Sequence, residues 1–298
     1  MRNEFARLLH QKMVDDSSVY LLFGDLGYGL MDKIRADFPD RAINCGIAEQ
    51  SMVAIAAGLA CTGKTVFVYT ISSFVLKCLE QIKLYLCGQN LKVIIIGSGA
   101  ACSYGSAGIT HHCMEDLGAL SVLPGLEIYE PCDFLTTNKV VSDALENNGP
   151  SYIRFVGSSR AEDPFRRREV YPELLEGLYG YTMHGKFQPG AIVYVFGNVL
   201  AYSEVGRLAS EVGARVESVF DFSKISPTSD KGAPIFSVEE SFGGFGHRVQ
   251  DLFSSKVHQI KAERRYIKGS YDHETLKRMY GLDYESIKAQ IKEILYDN

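Results

Sequence analysis

Apolar positions along the chain follow two alternating rhythms. Residues 2–15 carry Phe5, Leu8, Leu9 and Met13 at helical spacing, and Val19–Phe23 is an unbroken apolar run. Short continuous runs of this kind mark strands buried on both faces. The alternation continues and predicts helices over 31–37, 52–61, 73–87, 115–122 and 133–147. It predicts strands over 41–45, 65–69, 92–96, 126–130 and 151–155. Strand and helix in strict succession imply a doubly wound parallel α/β domain over residues 1–157. From 158 to 189 the pattern breaks, with prolines at 164 and 172, and reads as an interdomain connection. A second, smaller α/β unit then spans 190–298. It has strands at 191–196, 214–220 and 234–238, helices at 200–212 and near 247–255, and terminal helices ending at Tyr296. The fold class is thus two doubly wound α/β domains in series.

Composition narrows the function without naming it. The 298 residues are 46% hydrophobic and 22% charged, with a net charge of -5, which is ordinary globular usage. The one dense basic run, Arg166-Arg167-Arg168, is flanked by acids and prolines, so a nucleic-acid partner is not expected. Seven cysteines are present without a C-x-x-C pair, and several sit inside apolar patterns. That usage suggests reduced, core-filling thiols in a cytoplasmic protein, with no disulfide frame and no metal site. Residues 1–7 read as a charged helix start and not as a signal peptide, and no apolar run reaches membrane-spanning length.

Chemistry concentrates at the ends of predicted strands. Gly46-Ile47-Ala48-Glu49-Gln50-Ser51 follows one strand and opens a helix whose next two turns are almost wholly apolar. Met52, Val53, Ala56 and Ala57 share or flank the face of Glu49. From spacing alone, a helix-start carboxylate satisfying free backbone N–H groups is the leading reading. Asp25 lies in Gly24-Asp25-Leu26-Gly27, at the carboxyl end of the first strand, where parallel sheets keep their ligands. Ser73-Phe74 stands at a helix start, and the phenylalanine reads either as core or as a face offered to a heterocycle. His111-His112 ends a Gly/Ser-rich loop over 97–108. Adjacent side chains point apart, so at most one of the pair serves a given site, and a substrate-facing imidazole is the functional reading. Gly97-Ser98-Gly99 fails as a dinucleotide loop because Cys102 occupies the third glycine position.

The order of these signals is more specific than any one of them. The Gly-Ile-Ala-Glu-Gln turn is followed by Ser73-Phe74 with Glu80-Gln81. A Gly/Ser loop, Thr110-His111-His112 with Glu115-Asp116-Leu117, and Leu123-Pro124-Gly125 come next. In this order the first domain resembles the pyrimidine-binding domain of the transketolase family. Val238-Glu239-Glu240 with Gly243-Gly244-Phe245-Gly246 resembles that family's C-terminal domain. The resemblance covers nearly the whole chain and is nearest to the separately encoded C-terminal subunits of split transketolases.

The resemblance implies thiamine diphosphate as cofactor, with magnesium. It places Glu49 at the cofactor's pyrimidine ring nitrogen, where a carboxyl group shares a proton with the ring. It places Phe74 on the ring face, and Ile71 and Asp25 beside the cofactor. It gives His111 a contact with the substrate, and puts Lys77, Ser103, Arg154 and Arg160 on the substrate side. The family's Gly-Asp-Gly motif with a downstream asparagine is missing, so the diphosphate grip and the metal ligands fall to a partner. That partner is an N-terminal transketolase-type subunit, in a heterotetramer acting on small sugars. Two usual phosphate contacts are absent or moved. The loop starts Ala101-Cys102-Ser103, and Gly157 stands where an arginine is usual. The expected activity is ketol transfer with a specialised sugar. A 2-oxoacid-using thiamine enzyme subunit, whose turnover would release carbon dioxide, and a non-catalytic scaffold subunit remain open alternatives.

Overall fold

The structure, a computed structural model, describes residues 1–157, 181–182, 190–200, 202–225, 227 and 232–296. The first domain runs α1 (Arg2–Asp15), β1 (Val19–Phe23), α2 (Asp32–Asp37), β2 (Ala42–Asn44), α3 (Glu49–Cys61), β3 (Thr65–Ile71), α4 (Ser72–Val75) and α5 (Leu79–Gln81). It continues through β4 (Val93–Ala100), α6 (Asp116–Leu120), β5 (Glu127–Tyr129), α7 (Phe134–Glu146) and β6 (Ser151–Val156). Its sheet is fully parallel in the order β2-β1-β3-β4-β6-β5. The apolar strand runs are continuous because both faces are covered. Leu21, Phe23, Phe67, Tyr69, Ile94 and Ile96 turn toward Phe5, Leu9 and Met13 of α1 and Val140, Val141 and Ala144 of α7. Their sequence neighbours Leu22, Val66, Val68 and Ile95 turn the other way, onto Met52, Val53 and Ala56 of α3 and Leu117 and Leu120 of α6. Burying side chains of this kind contributes about 1.5–3 kcal/mol each.

The second domain holds β7 (Tyr181–Thr182), β8 (Ala191–Phe196), α8 (Tyr202–Val212), β9 (Ala214–Val219), β10 (Ile235–Val238), α9 (Phe245–Gln250), β11 (Val257–Ile260), α10 (His273–Met279) and α11 (Tyr284–Tyr296). Its sheet order is β11-β10-β8-β9-β7, parallel except for the short β7. The pattern of residues 257–260 is too brief to predict β11. The two sheets share a core: Leu117, Leu120 and Ile128 pack in one cluster with Phe196, Phe222 and Phe245. The backbone joins them as well. Glu130 N–H donates to Phe220 O at 3.0 Å, and Phe222 N–H donates to Ile128 O at 2.9 Å.

Two segments depart from expectation. The strand predicted to stop at 96 runs on through Gly97, Ser98 and Gly99 to Ala100. Thr70 and Ile71 on one side and Arg154 and Phe155 on the other supply partners for it. Pairing on both sides outweighs the weak strand preference of glycine. The helix predicted over 73–87 is instead a broken one: α4, a 3-10 turn at Leu76–Cys78, α5, and a π-helical stretch at Ile82–Cys87. Irregular turns of this sort are frequent beside functional sites. The linker predicted over 158–189 lies outside the described residues, apart from 181–182. Among the described residues, no helix is long and apolar enough to cross a membrane.

Candidate active site

In an open parallel sheet the crevice lies beyond the carboxyl ends of the strands, where the winding direction reverses. Here the reversal falls at β1, which has β2 on one side and β3 on the other. Gly46, at φ +68°, turns the chain out of β2 through a left-handed conformation that glycine adopts without strain. Its N–H is held by Asn44 Oδ1 at 2.8 Å. Glu49 then begins α3 and is 6% exposed. The helix-start reading does not hold: no helix-cap hydrogen bond is made by a side chain at this end of α3. Among the described residues, the carboxylate accepts no hydrogen bond. The nearest cation is Lys77 Nζ, 3.7 Å from Oε2. Neither oxygen is among the fully enclosed unsatisfied atoms, so the carboxylate keeps an opening through which a ligand group can reach it.

The broken helix after β3 supplies the opposite wall. Gln50 Nε2 donates to Lys77 O at 2.8 Å and ties α3 to it. Lys77 Nζ sits 4.3 Å from the Phe74 ring centroid as well as beside Glu49. Phe74 is half-buried and meets the His111 ring edge-on at 5.7 Å. Cys78 lies close by; burial first, then the charge of Glu49, pushes its thiol up to about 12, so it is no nucleophile at neutral pH.

His111 is presented by a clamped loop. Ala101 and Cys113 exchange backbone hydrogen bonds at 2.8 and 3.0 Å, closing the base of the loop. Ser73 Oγ donates to Thr110 O at 3.2 Å and anchors the tip to α4. Thr110 Oγ1 engages His111 Nδ1 at 2.9 Å, which leaves Nε2 for a ligand. His112 turns inward, is buried and pairs with Gly105 O at 3.2 Å.

The structure thus brings together Glu49, Phe74, Lys77 and His111, with Ile71 half-buried at the end of β3. Asp25 lies at the same edge of the sheet but is exposed and bonded to Tyr28 Oη at 2.5 Å. Arg160 lies outside the described residues. Two residues expected on the substrate side are engaged within the protein. Ser103 is buried, donates to Ala100 O and accepts from Gly157 N at 2.9 Å, so its hydroxyl braces the backbone. Arg154 is fully buried. It binds Asp116 through Nε and Nη2 at 2.9 and 3.0 Å, Glu130 through Nη1, and Glu240 O at 3.3 Å. Facing the core from β6, it joins the two domains, and its guanidinium is engaged there.

One group escaped the sequence reading. The Tyr104 ring approaches His111 edge-on at 6.4 Å, and its hydroxyl accepts from Arg2 Nη1 at 2.7 Å. Ser98 Oγ completes the cluster, 3.0 Å from Tyr104 Oη. Arg2 comes from the first turn of α1, 102 positions from Tyr104, and no local spacing links them. The mouth of the crevice carries exposed apolar side chains, with Ile47 84% and Tyr28 70% exposed.

The geometry suits an aminopyrimidine ring. Glu49 offers an unfilled acceptor in a buried setting and Phe74 an aromatic face. The described residues contain no cluster of three metal-ligating side chains.

Comparison with known proteins gives the same direction. The family described as "Transketolase, pyrimidine binding domain" matches residues 1–159. An apulose-4-phosphate transketolase subunit of Phocaeicola vulgatus is 31% identical over 306 residues, covering 96% of this chain and 94% of the relative. A putative transketolase C-terminal section of Methanocaldococcus jannaschii is 29% identical, covering 86% and 84% respectively. In fold, the chain is similar to a solved structure described as "Split gene transketolase, inactive beta4 tetramer". The TM-score is 0.76 at 24% identity, over 99% of this chain and 97% of that one. With its parallel α/β fold and with relatives named as a transketolase subunit and a transketolase C-terminal section, the chain belongs to the transketolase family of pyrimidine-binding domains.

Proposed function

We propose that this chain is the pyrimidine-binding subunit of a split, thiamine-diphosphate-dependent transketolase that moves a two-carbon ketol unit between sugars. The observation that carries the reading is the buried Glu49 carboxylate, left without a hydrogen bond and facing the Phe74 and His111 side of the crevice. Bound thiamine diphosphate supplies a carbon nucleophile that protein side chains lack. Glu49 holds a proton at the pyrimidine ring nitrogen, from a largely buried position at the start of α3. Phe74 and Ile71 pack on the ring, and Lys77 keeps a cation beside the carboxylate. His111 Nε2 donates to or accepts from a sugar hydroxyl. Arg2, held by Tyr104 and Ser98 through Nη1, offers a cation beside Tyr104 for an anionic group on the sugar.

The diphosphate grip and magnesium ligands belong to an N-terminal partner subunit in a heterotetramer. The exposed Ile47 and Tyr28 at the crevice mouth support this, since such side chains favour a covered face. The similar solved structure, named as an inactive tetramer of one subunit type, supports it too. The name of the Phocaeicola relative supports a specialised sugar phosphate as substrate. The test is co-expression with a candidate partner, followed by dialysis against thiamine diphosphate. The cofactor is retained by the complex and not by this chain alone, and turnover transfers a ketol unit without releasing carbon dioxide. Carbon dioxide release would assign a 2-oxoacid substrate instead.

A further inference from the structure

A cavity of about 670 Å³ opens between the two domains, and none of its lining residues belongs to the crevice described above. One wall is α6 with the preceding Glu115. The other is α9 together with residues 264–266, which follow β11. This size is typical of small-molecule sites. The chemistry of the wall falls into three parts.

The first is cationic. Arg248 and Arg264 line the cavity, and neither guanidinium bonds to a described residue. Arg265 is different: it is held by Glu263 at 2.7 Å and by Met279 O at 2.9 Å. Two unengaged guanidinium forks in one cavity suit a phosphate group, which they bind through paired N–H donors. The second is aromatic. The Tyr266 ring is 57% exposed but held in place, its hydroxyl donating to Glu115 Oε1 at 2.7 Å. Phe242 meets it edge-on at 5.9 Å. A fixed, exposed ring is a stacking platform for a planar heterocycle. The third is a carboxylate. Asp251 is exposed in the lining and its side chain makes no bond to a described residue. A free carboxylate accepts hydrogen bonds from vicinal hydroxyls of a ribose. Glu115 cannot take that part, because its second oxygen already accepts from Met114 N at 2.9 Å.

Phosphate, heterocycle and ribose are the three parts of a nucleotide. We infer that this interdomain cavity binds a nucleoside phosphate, with Arg248 and Arg264 on the phosphate, Tyr266 against the base and Asp251 toward the ribose hydroxyls. The inference is independent of the sugar-transfer reading, since it uses none of the same side chains. Lying between α6 and α9, the ligand would touch both domains.

The experiment is equilibrium dialysis of the full chain, alone and in complex with its partner subunit, against labelled AMP. Ribose 5-phosphate and inorganic phosphate serve as competitors. AMP is expected to bind, and both competitors to displace it only weakly. Arg248→Ala and Arg264→Ala should each weaken AMP binding about tenfold or more, the loss typical of a charge-assisted contact. Tyr266→Leu should weaken AMP while leaving ribose 5-phosphate unchanged. Melting temperatures should match the parent, because these side chains are exposed or half-buried. Absence of AMP binding, equal affinity for AMP and ribose 5-phosphate, or arginine variants that bind AMP like the parent would each overturn the assignment.

Discussion

Buried carboxylates occur in two settings in this molecule. Glu49 is 6% exposed, with no hydrogen bond from a described residue and one ammonium at 3.7 Å. Asp116, Glu130 and Glu240, at the junction of the domains, are as deeply buried but crowded with partners. Arg154 alone reaches Asp116, Glu130 and the backbone oxygen of Glu240. His273 Nε2 lies 2.7 Å from Glu240 Oε1, and Asn198 N–H donates to Glu130 at 2.8 Å. Both settings put charge in the interior. The one rich in partners holds the domains together, although Glu240 Oε2 is left there without a hydrogen bond, and the one poor in partners leaves its oxygens open to the crevice. Burial alone does not tell function from structure; the number of partners does.

The sharpest test of that contrast is Glu49→Gln. It should lower kcat of the reconstituted complex by about 10²–10⁴-fold, the usual share of a positioned proton-transfer group. The melting temperature should barely move, because no hydrogen bond in the chain is lost. An unchanged kcat would instead favour the scaffold reading.

Arg154→Met should give the opposite pattern. Removing the guanidinium leaves Asp116 and Glu130 buried and unpaired, at a cost of about 3–5 kcal/mol read by urea unfolding. KM for the sugar, measured on the folded fraction, should stay unchanged. A raised KM without lost stability would return Arg154 to the substrate side.

The pH dependence of stability separates the members of the junction. Burial pushes Glu130 up to about 7 against the pull of Arg154 and of the Asn198 N–H, with the charge of Glu240 adding to the rise. Folded Glu130 therefore keeps its proton at a pH where the unfolded chain has lost it. Its stabilising share is fully present below about pH 4.5 and is lost as pH rises through 7. Glu240 behaves in reverse. Burial would raise it, but His273 and then Lys277 hold it down to about 2. Its share is present above about pH 4.5 and lost as pH falls toward 2. Glu130→Gln should thus remove a decline of up to about 1.4 kcal/mol per pH unit between pH 4.5 and 7. Unfolding midpoints across that range give the slope, and identical slopes for parent and variant would contradict the assignment.

The smallest effect belongs to Lys77→Met. Lys77 is mostly exposed, so solvent screens its charge at Glu49. A fall in kcat/KM of less than about tenfold is expected from steady-state rates. A loss as large as that of Glu49→Gln would make the lysine part of the chemistry.

Much of the first domain was legible because it is built from local rules. Strands buried on both faces print as unbroken apolar runs, and α3 prints as a small-residue stretch after a glycine turn. Glu49, Phe74 and His111 each stand at a strand-to-helix junction, so the alternation alone puts them at one edge of the sheet. The extension of β4 was not legible, because glycine and serine enter a strand only when neighbours on both sides supply partners. Nor was the fate of Arg154. An arginine in an apolar strand pattern offers no sign of where its charge is satisfied.

By itself, then, the sequence determined the strand-helix order of the first domain, the presence of a second α/β unit and the edge on which the candidate residues sit, since these follow from periodicities of a few residues. Tertiary structure decided which charges are free. Arg2 meets Tyr104 across 102 positions, and His273 meets Glu240 across 33. Whether a buried charge is spent or available depends on contacts between segments that no local pattern brings together.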